Sequence, residues 1–127
     1  MTTLTLPFPP SANRLWRNVK GKTLKSSAYR DWLSRAAISV REQHPTPVQG
    51  SYRLMIIAIR PDNRHRDIDN LLKPTSDLLA ACGVVSNDSK AQSVFAGWST
   101  EGKVEGGQIL VSVQPFVTPI FAMGKAA

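Results

Sequence analysis

Apolar and polar positions along this 127-residue chain alternate, cluster and break in a pattern that sketches a sheet interleaved with two helices. Leu4 and Leu6 alternate with Thr3 and Thr5, the period of a strand, and Pro7, Pro9 and Pro10 follow at once. Proline removes ladder donors, so this strand belongs at a sheet edge. Residues 26–43 carry a helical period: Tyr29, Leu33, Ala36, Ala37 and Val40 fall on one face, with Arg30, Arg41 and Glu42 on the other. Ser26 or Ser27 supplies the N-cap, and His44-Pro45 forces the break. After a turn at Gly50, residues 51–60 contain an unbroken apolar run, 55–59, which predicts a central strand apolar on both faces. A second helix is expected behind it, with Leu71, Thr75, Leu78 and Cys82 sharing a face and Gly83 as its stop. Pro74 requires this helix to begin near residues 71–73 or to bend in its first turn. Residues 91–99 and 108–114 read as strands joined through Gly102, Gly106 and Gly107, which predicts an antiparallel hairpin. The whole is an α/β (α+β) pattern: a small mixed sheet of about four strands with two main helices packed on it.

Length and composition narrow this to one domain over residues 1–127, in which the apolar tail 115–127, with Phe116, Ile120 and Phe121, docks on the body or at the contact with a partner chain. No apolar run approaches the roughly 20 residues that cross a bilayer. The first residues lack the basic and long apolar regions of a secretory signal, so a cytoplasmic protein is expected. The lone Cys82 has no internal disulfide partner and reads as an inert thiol among helix-facing apolar residues.

Charge changes the picture more. The net charge is +7, yet residues 1–66 hold 12 of the 16 Lys and Arg against 3 of the 9 acids, a balance of +9, while the other 61 residues carry −2. Such asymmetry points to a polyanion, with nucleic acid favoured over a merely solubilising surface. Arg14, Arg17, Lys20, Lys22 and Lys25 cluster without an acid in a loop or loose hairpin turning at Gly21. That stretch suits a phosphate backbone, and Trp16 within it is available either to stack on a base or to pack into the core. The preceding prolines fix an extended path that holds Asn13 and Arg14 rigidly, or that serves as a stiff connector.

Where the basic half ends, Arg66-Asp67-Ile68-Asp69-Asn70 begins. In an extended backbone the carboxylates of Asp67 and Asp69 leave one face, and their repulsion calls for a cation or a donor cluster. Mg2+ takes hard oxygen ligands in open coordination, which is what phosphodiester hydrolysis uses. Asp88, in the turn-rich segment after the second helix, is a third candidate ligand if that segment returns to the same edge. Lys73 is placed to contact the scissile phosphate, orient the attacking water or stabilise charge at phosphorus, while pairing with Asp77 four residues on is its structural alternative. Each aspartate has an alternative too, as a helix N-cap. Arg64 and Arg66 add cations beside the pair. His65, between them, is more simply a solvent-facing loop residue than a ligand.

Pro7-Phe8-Pro9-Pro10-Ser11 with Asn13-Arg14, Tyr29-Arg30-Asp31, Arg66-Asp67-Ile68-Asp69-Asn70 with Lys73, and Asn87-Asp88 together resemble the RusA family of Holliday junction resolvases of bacteria and their phages, over residues from about 4 to 113. The resemblance implies that Asp67, Asp69 and Asp88 bind metal, that Lys73 is the essential lysine, and that Arg66 and Asn70 flank the site. It also implies a small mixed α/β homodimer that nicks two opposed strands of four-way junction DNA with Mg2+ or Mn2+, during recombination and repair. Two active sites for two nicks make a two-fold pair the economical assembly. Departures from the family pattern are Pro74 and the longer apolar tail. The competing readings are a Mg2+ nuclease acting on flaps, duplex or RNA, and a non-catalytic basic nucleic-acid-binding protein whose aspartates merely cap a helix.

Overall fold

The computed structural model describes residues 1–11 and 14–117. Its elements are β1 (Thr2–Pro7), β2 (Trp16–Val19), β3 (Lys22–Lys25), α1 (Ser27–Gln43), β4 (Tyr52–Ile59), α2 (Leu72–Ala81), β5 (Ala91–Trp98) and β6 (Gln108–Pro115). Four strands form one sheet in the order β1-β6-β4-β5, with β4 and β5 parallel and the other pairs antiparallel. The mixed sheet with two helices expected from the pattern is therefore present, and β1 is at an edge. β2 and β3 make a separate hairpin.

The expected hairpin of the last two strands does not form. β6 inserts between β1 and β4 instead, and β5 takes the far edge. The register shows why: Thr2, Leu4 and Leu6 stand beside Val113, Val111 and Ile109, which stand beside Leu54, Ile56 and Ala58. Three inward rows thus meet in one layer, all of them buried. Burying a Val or Ile side chain is worth about 1.5–3 kcal/mol. Doubling a connecting loop costs only about 0.6 kcal/mol, so the central slot wins over the shorter connection. β5, whose Val94 and Phe95 stay exposed, is the strand that tolerates an edge.

Both helices feed the same core. Ser26 caps α1, accepting from the Tyr29 N–H at 3.1 Å, and His44 closes it with φ +49°. Tyr29, Trp32, Ala36 and Val40 are its buried residues, so Trp32 takes the deep place that the pattern assigned to Leu33. A 3-10 turn, Ile68–Leu71, leads into α2. Pro74 is its third residue, inside the first turn, where the N–H groups have no intrahelical acceptor; the proline costs no hydrogen bond there. Gly83, φ +74°, lets its N–H reach Ala80 while Val84 reaches Leu79, which satisfies the last carbonyls.

Among the described residues no helix covers the opposite face of the sheet. Met55 and Leu110 are exposed there, and with Ile57, Thr3, Thr5 and Ser112 they line an open depression. The central position of β4 is thus as expected, but only one of its faces is buried. Residues 118–127, and with them the expected docking of Ile120 and Phe121, lie outside the described residues, as does Asn13.

Candidate active site

β4 delivers the chain to a clamp built on Asp62. Its carboxylate accepts from the Arg64 backbone N–H at 2.9 Å and from Arg66 Nη1 and Nη2 at 2.5 and 3.2 Å. The Arg66 hydrogen bond, followed by the Arg64 N–H, holds the Asp62 carboxyl well below the usual carboxylate range. Arg66 also lies over the Phe8 ring at 5.6 Å, Phe8 stacks on Trp98 with centroids 6.2 Å apart, and Arg60 lies over the Trp98 ring at 4.1 Å. Two cations and two rings thus pack together beside the first aspartate. The proline-rich segment is tied to the body where the Trp32 indole donates to the Pro7 carbonyl at 2.9 Å. The close approach of Phe8 and Pro61 explains Gly107, whose φ is +69° and whose Cβ position would lie 3.0 Å from both.

Asp67 follows the clamp with an extended backbone (φ −83°, ψ 130°), directly before the 3-10 turn. Its side chain makes no capping hydrogen bond, so the capping role does not account for it. Asp69 lies within the turn rather than on an extended strand, which corrects the premise that both carboxylates share a strand face. Both are exposed. His65 Nε2 stands 3.7 Å from Asp67 Oδ1 and is itself in solvent. Asn70 lines the wall beside Phe8 and Trp98, its N–H bonded to the Asp67 carbonyl at 3.2 Å. Arg66, the residue before Asp67, joins Arg14, Arg64 and His65 in walling a cleft of about 460 Å³. Arg64 and Arg66 are thus brought together with Asp67, although Asp62 engages both.

Asp88 is elsewhere. β4 and β5 run parallel, with Tyr52 beside Ala91 at one end and Ala58 beside Trp98 at the other. Asp67 shares a wall with Trp98, whereas Asp88 opens the 3-10 turn that leads into Ala91. Strand β5, ~25 Å long at roughly 3.3 Å per residue, runs from the turn of Asp88 to the Trp98 wall. Among the described residues no three carboxylate, imidazole or thiol side chains stand close enough to hold a metal ion. The return of Asp88 to the edge carrying Asp67 and Asp69 is therefore not found within one chain.

Lys73 pairs with Asp77, Nζ to Oδ1 at 3.1 Å, and Asp77 Oδ2 accepts the Tyr29 hydroxyl at 2.6 Å. Burial first, then that hydrogen bond, pushes the Tyr29 hydroxyl above the ordinary tyrosine range. Lys73 and Asp88 share a second cleft of about 480 Å³ with Trp16, Lys25, Asp77 and Asn87. The hairpin above it turns at Lys20 and Gly21, both with positive φ, the two-residue turn that suits the strand twist. Trp16 is part exposed and meets the Tyr29 ring edge-on at 5.9 Å, so it belongs partly to the core and partly to the cleft. Arg14, Arg17, Lys20, Lys22 and Lys25 are all exposed. Burial raises the Cys82 pKa, consistent with an inert thiol.

Residues 7–113, which span the proline segment, both clefts and all three aspartates, match the family described as "Endodeoxyribonuclease RusA". The chain belongs to the RusA family. It is 34% identical over 117 residues to the crossover junction endodeoxyribonuclease RusA of Aquifex aeolicus (strain VF5), covering 90% of this chain and 89% of that protein. The proteins of the same name from Escherichia coli (strain K12) and Enterobacteria phage 82 are 35% and 34% identical over 94 and 90 residues, each covering 68% of this chain and 73% of the relative. Within this RusA chain, sequence reasoning had not found the Asp62 clamp, although the i, i+2 and i+4 spacing of Asp62, Arg64 and Arg66 is a legible signal. The Tyr29–Asp77 bond joins residues 48 apart and leaves no local trace. No helix among the described residues is long and apolar enough to cross a membrane.

Proposed function

We propose that this chain is a Mg2+-dependent endodeoxyribonuclease that resolves four-way DNA junctions by paired nicks, acting as a homodimer on DNA in the bacterial cytoplasm. The observation that carries this reading is the exposed Asp67–Asp69 pair, free of the capping bond at Asp67 and following directly on Arg66, which with Arg14 and Arg64 walls a cleft, in a RusA-family chain. Two solvent-facing carboxylates suit Mg2+, which keeps several waters and is completed by substrate phosphate; Mn2+ suits the same oxygens. Bound there, the ion supplies charge neutralisation at phosphorus and activation of water. Arg14, Arg64 and Arg66 receive the phosphodiester backbone, the β2–β3 hairpin extends that track, and Lys73 provides a cation for the charge that develops on the phosphate. A homodimer gives one site per nick. It also offers the Asp88 of one protomer to the aspartate pair of the other.

The test is cleavage of a synthetic four-way junction by the purified chain with Mg2+. Asp67→Asn and Asp69→Asn are each expected to abolish cutting while retaining junction binding. Wild-type cutting by Asp69→Asn would show the site to be misplaced, and stronger competition by flap or linear duplex than by unlabelled junction would reassign the substrate.

A further inference from the structure

Tyr29 is fully buried on α1, stacked on Trp32 with centroids 6.4 Å apart, and its hydroxyl donates to the Asp77 carboxylate. Asp77 is about one-fifth exposed and Lys73 more than half. The three residues form a line from core to cleft: a buried hydroxyl, a carboxylate fixed by it, and an ammonium in the cleft that Asp88 also lines. A lysine at i, i+4 from a free aspartate on a helix surface gains little, because both side chains must lose freedom to meet. Here the aspartate is immobilised already. A tie between α1 and α2 needs only one carboxylate oxygen; the second is left to Lys73.

We infer that Asp77, held by the buried Tyr29 hydroxyl, is a positioning residue that fixes the Lys73 ammonium at the mouth of the cleft it shares with Asp88. This rests on the reading of Lys73 as the lysine the reaction needs. Asp77 touches neither phosphate nor metal in this role; it acts through Lys73. The chain of contacts continues outward, since Trp16 of the basic hairpin meets the Tyr29 ring edge-on at 5.9 Å.

The experiment measures single-turnover junction cleavage and, separately, junction affinity. Asp77→Asn keeps the shape and an oxygen acceptor for Tyr29 while removing the charge that holds Lys73. It is expected to slow cleavage about tenfold, the scale of a misplaced catalytic group, with affinity unchanged within about twofold. Asp77→Glu is expected to recover part of the loss and Asp77→Ala none of it. Tyr29→Phe, which removes one oxygen and keeps the ring, is expected to give a smaller loss of the same kind, and is the variant to read if Asp77→Asn does not fold. Wild-type cleavage by Asp77→Asn beside a slow Lys73→Ala overturns the proposal and leaves the lysine's role standing. Wild-type cleavage by Lys73→Ala removes that role and the proposal with it. A fall in affinity as large as the fall in cleavage overturns the proposal too, since it makes Asp77 part of the binding surface.

Discussion

The β2–β3 hairpin offers a prediction whose size can be worked from its charges. Arg14, Arg17, Lys20, Lys22 and Lys25 are exposed, and none of them forms an ion pair among the described residues. Each cation that meets a duplex phosphate contributes about −0.9 to the slope of log K against log salt. Five contacts give a slope of about −4.5, so a rise from 50 to 200 mM salt weakens binding roughly 500-fold, and each contact accounts for about 3.5-fold of that. The perturbation of choice is Arg17→Ala with Lys22→Ala. Arg17 stands beside Leu24 and Lys22 beside Val19, on the face turned from Trp16, so neither change disturbs the cleft. Lys20 is avoided because its φ of +51° makes alanine there a backbone change as well as a charge change. Anisotropy titrations of a labelled four-way junction, with Ca2+ in place of Mg2+, are expected to show the slope reduced by about 1.8 and the same proportional loss on junctions of different sequence. Arg41→Ala, on the last turn of α1, is the control and leaves the slope unchanged. An unaltered slope in the double variant would refute the placement of backbone phosphate on this hairpin, and a loss confined to one sequence would make these residues base readers.

The Tyr52 hydroxyl is buried with no hydrogen-bond partner among the described residues, and its pKa is raised, first by burial and then by the charge of Asp88. Tyr52→Phe is expected to stabilise the protein by about 1 kcal/mol, the low end of the cost of an unpaired buried polar group, and to raise Tm by a few degrees in calorimetry. A lower Tm would mean that the hydroxyl has a partner. Asp62 gives a pH dependence: its folded pKa is depressed, so its contribution is fully present above the ordinary carboxylate pKa of about 4 and is lost as pH falls below that. The urea midpoints of wild type and Asp62→Asn should therefore differ by a constant amount above about pH 5 and converge in stronger acid; a gap that widens in acid contradicts the clamp.

Much of the fold could be read from period alone, and where the reading failed the reason is tertiary. Alternation in residues 2–7 and 108–115 marks the strands, and Ser26 with His44 marks both ends of α1. Nothing local says whether Ile109, Val111 and Val113 pair with the strand before them or with strands far away. That choice is made by which neighbours complete a buried layer, a property of Leu4, Leu6, Leu54 and Ile56 as much as of β6. The unbroken apolar run 55–59 predicted two buried faces because hydrophobicity does not count helices, and both helices go to one side. Pro74 was ambiguous for a related reason: whether proline breaks a helix depends on where the helix begins, and the 3-10 turn at Ile68–Leu71 moves that start far enough for the first turn to accept it.

The candidate site divides in the same way. Residue types and spacing were enough to single out Asp67, Asp69, Lys73 and the arginines, because charge density and paired carboxylates are written in the sequence. Their arrangement depends on chain direction. An aspartate after a strand and an aspartate before the next strand share an edge when the strands are antiparallel and stand at opposite ends when they are parallel, and β4 and β5 are parallel. The same topology sends α2 back along the sheet and carries Lys73 into the cleft of Asp88, away from the wall of Asp67. The proposed site residues therefore fall into two halves, Asp67 with Arg66 on the wall shared with Trp98, and Asp88 with Lys73 and the Tyr29–Asp77 anchor around the other cleft. Mixing the inactive Asp69→Asn and Asp88→Asn proteins distinguishes the ways these can be joined. If the halves meet across a two-fold axis, a mixed dimer contains one pairing with both aspartates intact, and nicking of single strands returns without paired resolution. If each chain closes its own site by moving, each site in the mixture still carries one substitution and the mixture stays inert.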